Sequence, residues 1–475
     1  EAATLPSVTV QMLGRDMNRL YGYRQEMNSV AAGETLTILP PDRALELNIE
    51  GTGVTGISYE VRSMDRARLV EKTEVPDWQQ TENGITAILP IQNLLTKERE
   101  YQLKLQLDTE AAGPVYYYTR ILWTDAQEHA RAMVDLAADF SMKTFDYEQA
   151  RSLTTYLESS PAEDNTTFGH TSIHSSFSQL TWGKLGMQPE EPVEIRLKEL
   201  DGVMCGIQLS YRAKRQDEEG TETYEVEEDF TMKWNEKRIY MMNYERNANE
   251  MFTGKREAFS GKRIILGITN DNMVKTVKSP KSRYLAFKTG GDLWCYDQTD
   301  NELVRIFTFD SSKDDGIRSR YDRHDVKILS VQEDGTVDFL VYGYMNRGKY
   351  EGHMGVIYYS YDAEKDTVNE KFYLAASESF EKIREDISTL SYLSQNSMMY
   401  LMLEGSVYGI DLKSNEFLVV AQGLTKGSFA VSGDGSRIAW QDGASLYESE
   451  KVHVMDFNTA QKQEITGSEG DYVRV

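Results

Sequence analysis

Residues 355–362 (GVIYYSYD) form an apolar stretch that ends in aspartate, and similar stretches end at Asp297, Asp411 and Asp456. With Asp362 they place four aspartates 65, 49 and 45 residues apart. Each stretch follows another apolar segment and precedes a polar turn and a further segment. Multi-stranded repeats of about 40–50 residues are typical of β-propeller blades. The sequence therefore predicts four clear blades from about residue 261, with an insertion in the longest interval.

The recurring aspartate has a physical role in this pattern. An aspartate carboxylate accepts hydrogen bonds from backbone N–H groups about two residues further on and so fixes a tight turn. We expect the four aspartates to hold the turn between the third and fourth strands of each blade. They are accordingly interpreted as structural rather than catalytic.

A second motif connects these repeats with a known group of proteins. Residues 431–440 (VSGDGSRIAW) resemble the S-P-D-G-x-x-I-A-F signature of TolB-like and WD40-like propeller repeats, with Gly433 at the usual place of proline. Residues 278–287 (KSPKSRYLAF) are a weaker copy that keeps the proline. The resemblance implies a β-propeller fold. Long alternating segments upstream extend the predicted propeller to residues 161–475, and we expect the natural fold to continue beyond its last residue.

The N-terminal part has a different pattern. Residues 45–49, 57–61, 101–105 and 115–118 alternate apolar and polar side chains, as expected for strands buried on one face. Several short strands at this spacing favour a β-sandwich of immunoglobulin-like type over residues 1–123, although the cysteine and tryptophan markers of antibody domains are missing.

The period changes to that of a helix at residue 124. Residues 124–127 (TDAQ) match a capping box, and apolar residues then recur three or four positions apart as far as Phe140. A second helix is predicted over residues 147–157, capped by Asp146. The two helices are interpreted as a connector covering residues 124–160, so the predicted fold class is mainly β with a short helical link.

Composition excludes several classes of protein. The 475 residues include 52 Lys and Arg against 76 Asp and Glu, a net charge of −24, which argues against a nucleic-acid partner. Cys205 and Cys295 lie in apolar surroundings and are expected to be buried thiols. The sequence has no run of 18 apolar residues and starts with Glu1. We expect any membrane attachment to depend on a removed N-terminal anchor.

Motifs for a cofactor or metal do not have the context they need. Residues 51–56 (GTGVTG) precede a strand pattern, whereas a dinucleotide site needs a helix there. The segment starting at Asp310 resembles a calcium loop, but its glycine is one place late and its twelfth residue is Tyr321. His170 and His174 lie in turn and strand patterns, where residues four apart are too far apart for one metal. No cofactor, metal or catalytic residue is predicted.

Two segments are candidates for binding. Residues 318–324 (RSRYDRH) form a compact basic island that could hold a carboxylate or phosphate, or could pair with the protein's own acids. Residues 341–350 (VYGYMNRGKY) form an aromatic insertion that could contact a protein or glycan, or could be a buried apolar plug. The predicted binding residues are Arg318, Arg320, Tyr321, Arg323, His324, Tyr342, Tyr344, Arg347 and Tyr350.

The sequence favours a non-enzymatic protein that uses a propeller face to bind a protein or cell-wall partner. Its layout also resembles uncharacterised extracytoplasmic proteins of Gram-positive bacteria, which implies an anchored or secreted location. One alternative is a hydrolase acting on glycans or peptides through carboxylates in the propeller funnel, where no linear motif is needed. Another is a cytoplasmic scaffold. The pattern leaves the oligomeric state open.

Overall fold

The protein, seen in a computed structural model, is described over residues 5–28, 33–92, 95–255, 258–270, 274–311, 317–441, 451–467 and 475. The chain divides into two compact units, Glu1–Val274 and Lys275–Val475. Strands dominate both units, which confirms the mainly β fold class.

The first ten strands of the first unit form two five-stranded sheets. The strands are β1 (Ser7–Met12), β2 (Arg15–Leu20), β3 (Leu36–Ile38), β4 (Ala44–Glu50), β5 (Val54–Ser63), β6 (Leu69–Glu74), β7 (Gln79–Gln80), β8 (Gly84–Pro90), β9 (Glu100–Thr109) and β10 (Gly113–Leu122). Their orders are β2-β1-β4-β8-β7 and β3-β10-β9-β5-β6. Alternate side chains such as Leu47 and Leu105 are buried in one shared core, as the period of two predicts.

Three helical elements follow, namely the 17-residue α1 (Gln127–Lys143), the short α2 (Tyr147–Ala150) and a 3₁₀ helix (Arg151–Tyr156). The predicted apolar face of α1 is buried, and Asp146 caps α2 by accepting hydrogen bonds from the N–H groups of Glu148 and Gln149. The predicted capping box was wrong. Thr124 donates its hydroxyl to Glu98 (2.7 Å), and the Gln127 side chain donates to the carbonyl of Leu39 (2.7 Å).

The rest of the first unit is built on long strands. Its elements are β11 (His170–Ser172), α3 (Phe177–Leu180), β12 (Gln188–Asp201), β13 (Met204–Asp217), β14 (Gly220–Trp234), β15 (Ile239–Glu250), β16 (Phe259–Ser260) and β17 (Arg263–Ile264). Five of them form a sheet of order β11-β15-β14-β13-β12. The sequence assigns these strands to a propeller that begins at residue 161, whereas the compact units divide after Val274. The difference arises because side chains of this sheet, such as Leu197 and Phe230, join the core of the two N-terminal sheets.

A buried polar cluster attaches α1 to this sheet. Glu228 and Arg246 are cross-strand partners on β14 and β15, and both are fully buried. Glu228 accepts hydrogen bonds from the hydroxyls of Ser141 on α1 and of Tyr244 (2.6 Å). Burial raises the pKa of Glu228, even though the charge of Arg246 acts in the opposite direction.

The described residues of the second unit form four four-stranded antiparallel sheets. The elements are β18 (Thr276–Lys278), β19 (Tyr284–Thr289), β20 (Asp292–Asp297), β21 (Glu302–Phe307), β22 (His324–Val331), β23 (Val337–Tyr344), β24 (Met354–Asp362), β25 (Thr367–Ala375), α4 (Phe380–Thr389), β26 (Ser391–Leu393), β27 (Met398–Leu403), β28 (Ser406–Asp411), β29 (Phe417–Ala421), β30 (Phe429–Val431), β31 (Arg437–Gln441), β32 (Lys451–Asp456) and β33 (Gln461–Thr466). Each sheet takes four consecutive strands in chain order, which is the arrangement of propeller blades. We refer to β18–β21, β22–β25, β26–β29 and β30–β33 as blades 1 to 4.

The predicted role of the four aspartates is confirmed. Each of them ends the third strand of its blade and accepts backbone N–H groups two and three residues further on. The N–O distances to the second residue are 2.8 Å for Asp297, 3.0 Å for Asp362, 2.8 Å for Asp411 and 3.0 Å for Asp456.

The turn between the first two strands is also similar in blades 1, 3 and 4. In blades 1, 3 and 4 a serine hydroxyl accepts the N–H that leads into the second strand. The serines are Ser279, Ser394 and Ser432. Three residues after the serine, blade 4 has Gly435 at φ +74° and blade 1 has Ser282 at φ +63°. The signature seen in the sequence therefore corresponds to a turn between the first and second strands that recurs even where the amino acids differ.

Candidate functional site

The two segments predicted to bind are adjacent at one end of blade 2. Residues 317–323 lead into β22, and the insertion joins β23 to β24, with His324 opposite Gly343 in the β22–β23 register. We call residues 317–324 and 342–353 the paired loops. The side chain of Asn346, which is 3% exposed, donates hydrogen bonds to the carbonyls of Arg318 (2.7 Å) and Tyr321 (2.8 Å). The N–H of Tyr344 bonds to the carbonyl of Arg323 (2.7 Å), so the two loops form one structure.

Acidic side chains accompany the cations of the paired loops. Arg318 contacts the buried Glu351 at 2.5 Å, and Arg323 contacts its neighbour Asp322 at 2.9 Å. Lys349, whose side chain is 72% exposed, lies 3.4 Å from Glu370 of β25. Arg318 therefore pairs with one of the protein's own acids, which was one of the two alternatives for the basic island. The loops still carry five Lys and Arg against two acids, a net charge of +3 in a chain of −24.

Most of the predicted aromatic contacts are buried. Tyr342 and Tyr344 are each 4% exposed and Met345 is 1% exposed. This part of the insertion is therefore the buried apolar plug and not an exposed contact surface. The ring of Tyr344 packs edge-on against that of Tyr321 at 4.9 Å, which supports both loops from beneath. Tyr342 instead donates its hydroxyl to Asp325 (3.2 Å).

Tyr350 differs from these tyrosines because it is half-buried. Its ring stacks on that of Tyr373 at 4.3 Å, and its hydroxyl donates to Glu370. Lys349 lies over the same ring, with its ammonium 4.8 Å from the centroid. Arg320 and Arg347 are also half-buried in the loops. Together with Arg323, whose side chain is 20% exposed, these side chains form the accessible rim of the paired loops.

The imidazole of His324 lies in surroundings that favour its neutral form. Its ring packs edge-on against Phe309 at 4.7 Å. Burial lowers the pKa of His324 to about 4, against smaller opposing contributions from Asp322 and Asp325. His324 therefore adds no positive charge to the paired loops at neutral pH.

Sequence reasoning missed a carboxyl pair beside these loops. Asp292 begins β20 and Asp310 follows β21, so the antiparallel hairpin brings them to the same end of blade 1. Burial and the charge of Asp310 raise the pKa of Asp292, against Thr308 and Arg305, which lower it. Ser319 of the paired loops donates a hydrogen bond to Asp310 (3.1 Å). Hairpin register is the sequence signal that could have placed the two acids together.

The remaining motifs are structural in the described residues. Residues 51–53 lead into β5 and residues 54–56 already belong to it, so the helix that a dinucleotide site requires is replaced by a strand. The imidazole of His170 bonds to Asn247 (3.1 Å) and that of His174 to the carbonyl of Glu158 (3.1 Å). Burial raises the pKa of the Cys205 and Cys295 thiols to about 12, as expected for inert cysteines.

Residues 312–316 of the candidate calcium loop lie outside the described ranges. Across the described ranges, no group of three or more His, Cys, Asp or Glu side chains is placed to hold a metal ion. Within the same part of the chain, no helix combines the length and apolar character needed to cross a membrane.

Comparison with known proteins gives structural neighbours alone. No family model and no curated protein matches the sequence. TolB from Acinetobacter baumannii is 13% identical, over 80% of this chain and 79% of its own, with a TM-score of 0.25. Oligogalacturonate lyase from Vibrio parahaemolyticus is 9% identical over 58% of this chain and 85% of its own (TM-score 0.21).

The tricorn protease is 8% identical over 97% of this chain and 37% of its own, with a TM-score of 0.25. At these identities and scores the likeness assigns neither an activity nor a ligand to the chain.

Proposed function

We propose that this chain is a non-enzymatic, extracytoplasmic binding protein whose paired loops bind an acidic group on a protein or cell-wall partner. The observation that carries the proposal is the pair of hydrogen bonds from Asn346, which joins two sequence segments into one preformed surface. Preformed loops lose little conformational freedom on binding, which favours affinity.

The accessible rim supplies the chemistry for such a partner. Arginine and tyrosine are enriched where proteins contact partners, and guanidinium groups bind carboxylates or phosphates through two hydrogen bonds. We assign the contacts to Arg320, Arg323, Arg347 and Tyr350, with Lys349 beside them. Arg318, Tyr321, Tyr342, Tyr344 and His324 support the loops rather than contact the partner.

The remaining parts of the chain complete this proposal. Blades 1 to 4 would belong to a TolB-like propeller, and the two N-terminal sheets would form an immunoglobulin-like sandwich. The sandwich, with α1 and α2, would act as a spacer between an N-terminal membrane anchor and the binding surface. Such a layout suits a protein on the outer side of a membrane.

Binding to a short acidic peptide tests the proposal. Biolayer interferometry with immobilised tetraglutamate and a phosphoserine peptide should show binding that weakens as salt increases. Arg347→Ala should weaken it about tenfold, and Lys349→Ala about two- to fivefold, as for an exposed charge. Lys365→Ala is the matched control, because the Lys365 side chain is also 72% exposed but lies in the β24–β25 turn. Equal loss in all three variants would contradict a specific site.

The hydrolase alternative rests on Asp292 and Asp310. A carboxyl with a raised pKa beside a second carboxylate is the arrangement of glycosidases, in which one acid donates a proton and the other stays ionised. Hydrolysis of a panel of glycans and peptides that is abolished in Asp292→Asn and retained in Asp300→Asn would support this function. Asp300 is a suitable control because its side chain is 63% exposed in the neighbouring turn.

A further inference from the structure

The face of the β3-β10-β9-β5-β6 sheet that points away from the shared core carries a row of polar side chains. Glu60 lies opposite Lys104 in the β5–β9 register, and Lys104 lies opposite Tyr118 in the β9–β10 register. Their neighbours in sequence, such as Tyr59 and Tyr117, are buried on the core side. The row therefore belongs to the opposite face of the sheet.

A short segment of chain crosses this face and covers it. We call residues 23–28 the strap. Tyr23 forms an isolated bridge with Tyr116 through two backbone hydrogen bonds of 2.8 Å. Further along, the N–H of Met27 donates to the hydroxyl of Tyr118 (2.8 Å). Tyr118 is only 4% exposed, although it lies on the outer face.

A pocket of about 140 Å³ lies between the strap and the sheet. Its walls include Glu26, Glu60, Arg62, Arg66, Lys104 and Tyr118. The volume is well below the roughly 300–1,000 Å³ of pockets for drug-sized ligands, so the space suits a molecule of a few heavy atoms. The strap is tied down at its far end as well, since Arg66 donates to Asn28 (3.1 Å).

Positive charge exceeds negative charge around this space. The ammonium of Lys104 lies 3.1 Å from Glu26 and 3.5 Å from Glu60. Glu60 also contacts Arg62 (3.3 Å) and Lys72 (3.3 Å). Burial alone would raise the pKa of Glu60, but the neighbouring charges of Lys104, Arg62 and Lys72 lower it overall. Glu60 therefore stays ionised. In the pocket wall three cations (Arg62, Arg66 and Lys104) face two carboxylates.

We infer that this pocket binds a small anion through a carboxylate or phosphate group. Two guanidinium groups and one ammonium line the pocket, and charge-assisted hydrogen bonds from such groups to anions are the strong ones. The two carboxylates already present hold the lysine in place and leave a surplus of one positive charge among the lining residues for a ligand. Tyr118 and Met27 add a phenol and a thioether to the wall, so the ligand can carry a short carbon skeleton.

Calorimetric titration of the full chain with phosphate, succinate and neutral succinamide tests this inference. We expect binding of phosphate or succinate, with the stronger of the two identifying the preferred group, and no binding of succinamide. Arg62→Gln and Arg66→Gln should each weaken the affinity at least about tenfold. Both side chains are solvent-accessible, and circular dichroism would verify that the variants keep the fold.

Arg68→Gln is the matched control, because Arg68 is an exposed arginine two residues beyond Arg66 and does not line the pocket. Its affinity should equal that of the parent protein. Absence of binding with both anions, equal binding of succinamide, or the same loss in all three variants would overturn the inference. None of these outcomes depends on the paired loops, which lie in the other unit.

Discussion

Replacing Asn346 with alanine should loosen the paired loops without unfolding the blades. The substitution removes two hydrogen bonds, of 2.7 and 2.8 Å, and leaves the carbonyls of Arg318 and Tyr321 without this donor at a site where Asn346 is 3% exposed. A buried hydrogen bond contributes a net of about 1–1.5 kcal/mol, so the loops should lose about 2–3 kcal/mol. At about 1.4 kcal/mol per factor of ten, local opening should become roughly 30 to 150 times more frequent.

Hydrogen exchange measures this opening directly. The informative amides are those of Tyr344, bonded to Arg323 of the other loop, and of Met345, bonded to His353 within the same loop. Their exchange should accelerate by the factor given above, while amides in β27 and β28 keep their rates. Asn396→Ala is the control, since its side chain makes one exposed hydrogen bond to the Asn458 carbonyl (2.8 Å). Unchanged exchange at Tyr344 and Met345 would refute the claim that Asn346 holds the loops, and with it the main support for the binding proposal.

Two further predictions concern charged groups. Arg283 and the N–H groups of the turn hold the pKa of Asp297 at about 2, so its charge stabilises the fold above the ordinary carboxyl pKa and this contribution is lost as pH falls towards about 2. Asp297→Asn should therefore cost about 1 kcal/mol at pH 7 in urea unfolding, since Arg283 is partly exposed, and almost nothing near pH 2; a constant difference would contradict this reasoning. The raised pKa of Glu228 has the opposite effect on the pH dependence of stability from that of Asp297, because the native state binds a proton more tightly than the unfolded state does. Stability of the first unit should fall as pH rises from the ordinary carboxyl pKa to the raised one, and Glu228→Gln should remove that slope; parallel curves for the two proteins would show that Glu228 is not its source.

The features that the sequence predicted well depend on neighbouring residues. The turn at each blade aspartate needs only the two or three residues that follow it, and strand alternation needs only one buried face. The capping box at residue 124 failed for the opposite reason. The Thr124 hydroxyl accepts the N–H of Ala126 rather than that of Gln127, while it donates to Glu98, 26 residues away. The Gln127 side chain does not reach back to Thr124 because it bonds to Leu39, 88 residues away.

The candidate site shows the same division. Composition located the basic island and the aromatic insertion, but not the separation of supporting from accessible side chains. That separation depends on Glu351, which is 33 residues from Arg318, and on the packing of Tyr344 against Tyr321. The strap pocket was missed for a related reason, since Lys104 and Glu26 are 78 residues apart and meet only because the chain folds back over the sheet.

A net charge of −24 is compatible with two anion-binding surfaces because electrostatic interactions in salt solution are local. At physiological ionic strength the Debye length is about 8 Å, so acids farther away are largely screened. A small anion in the strap pocket would interact mainly with the charges of the pocket wall, three cations and two carboxylates, and one at the paired loops mainly with a segment of charge +3. A nucleic acid extends far beyond a Debye length and would meet the acidic surface as well. The composition that weighs against a long polyanion therefore leaves room for short ones, and both binding tests need compact ligands to detect these sites.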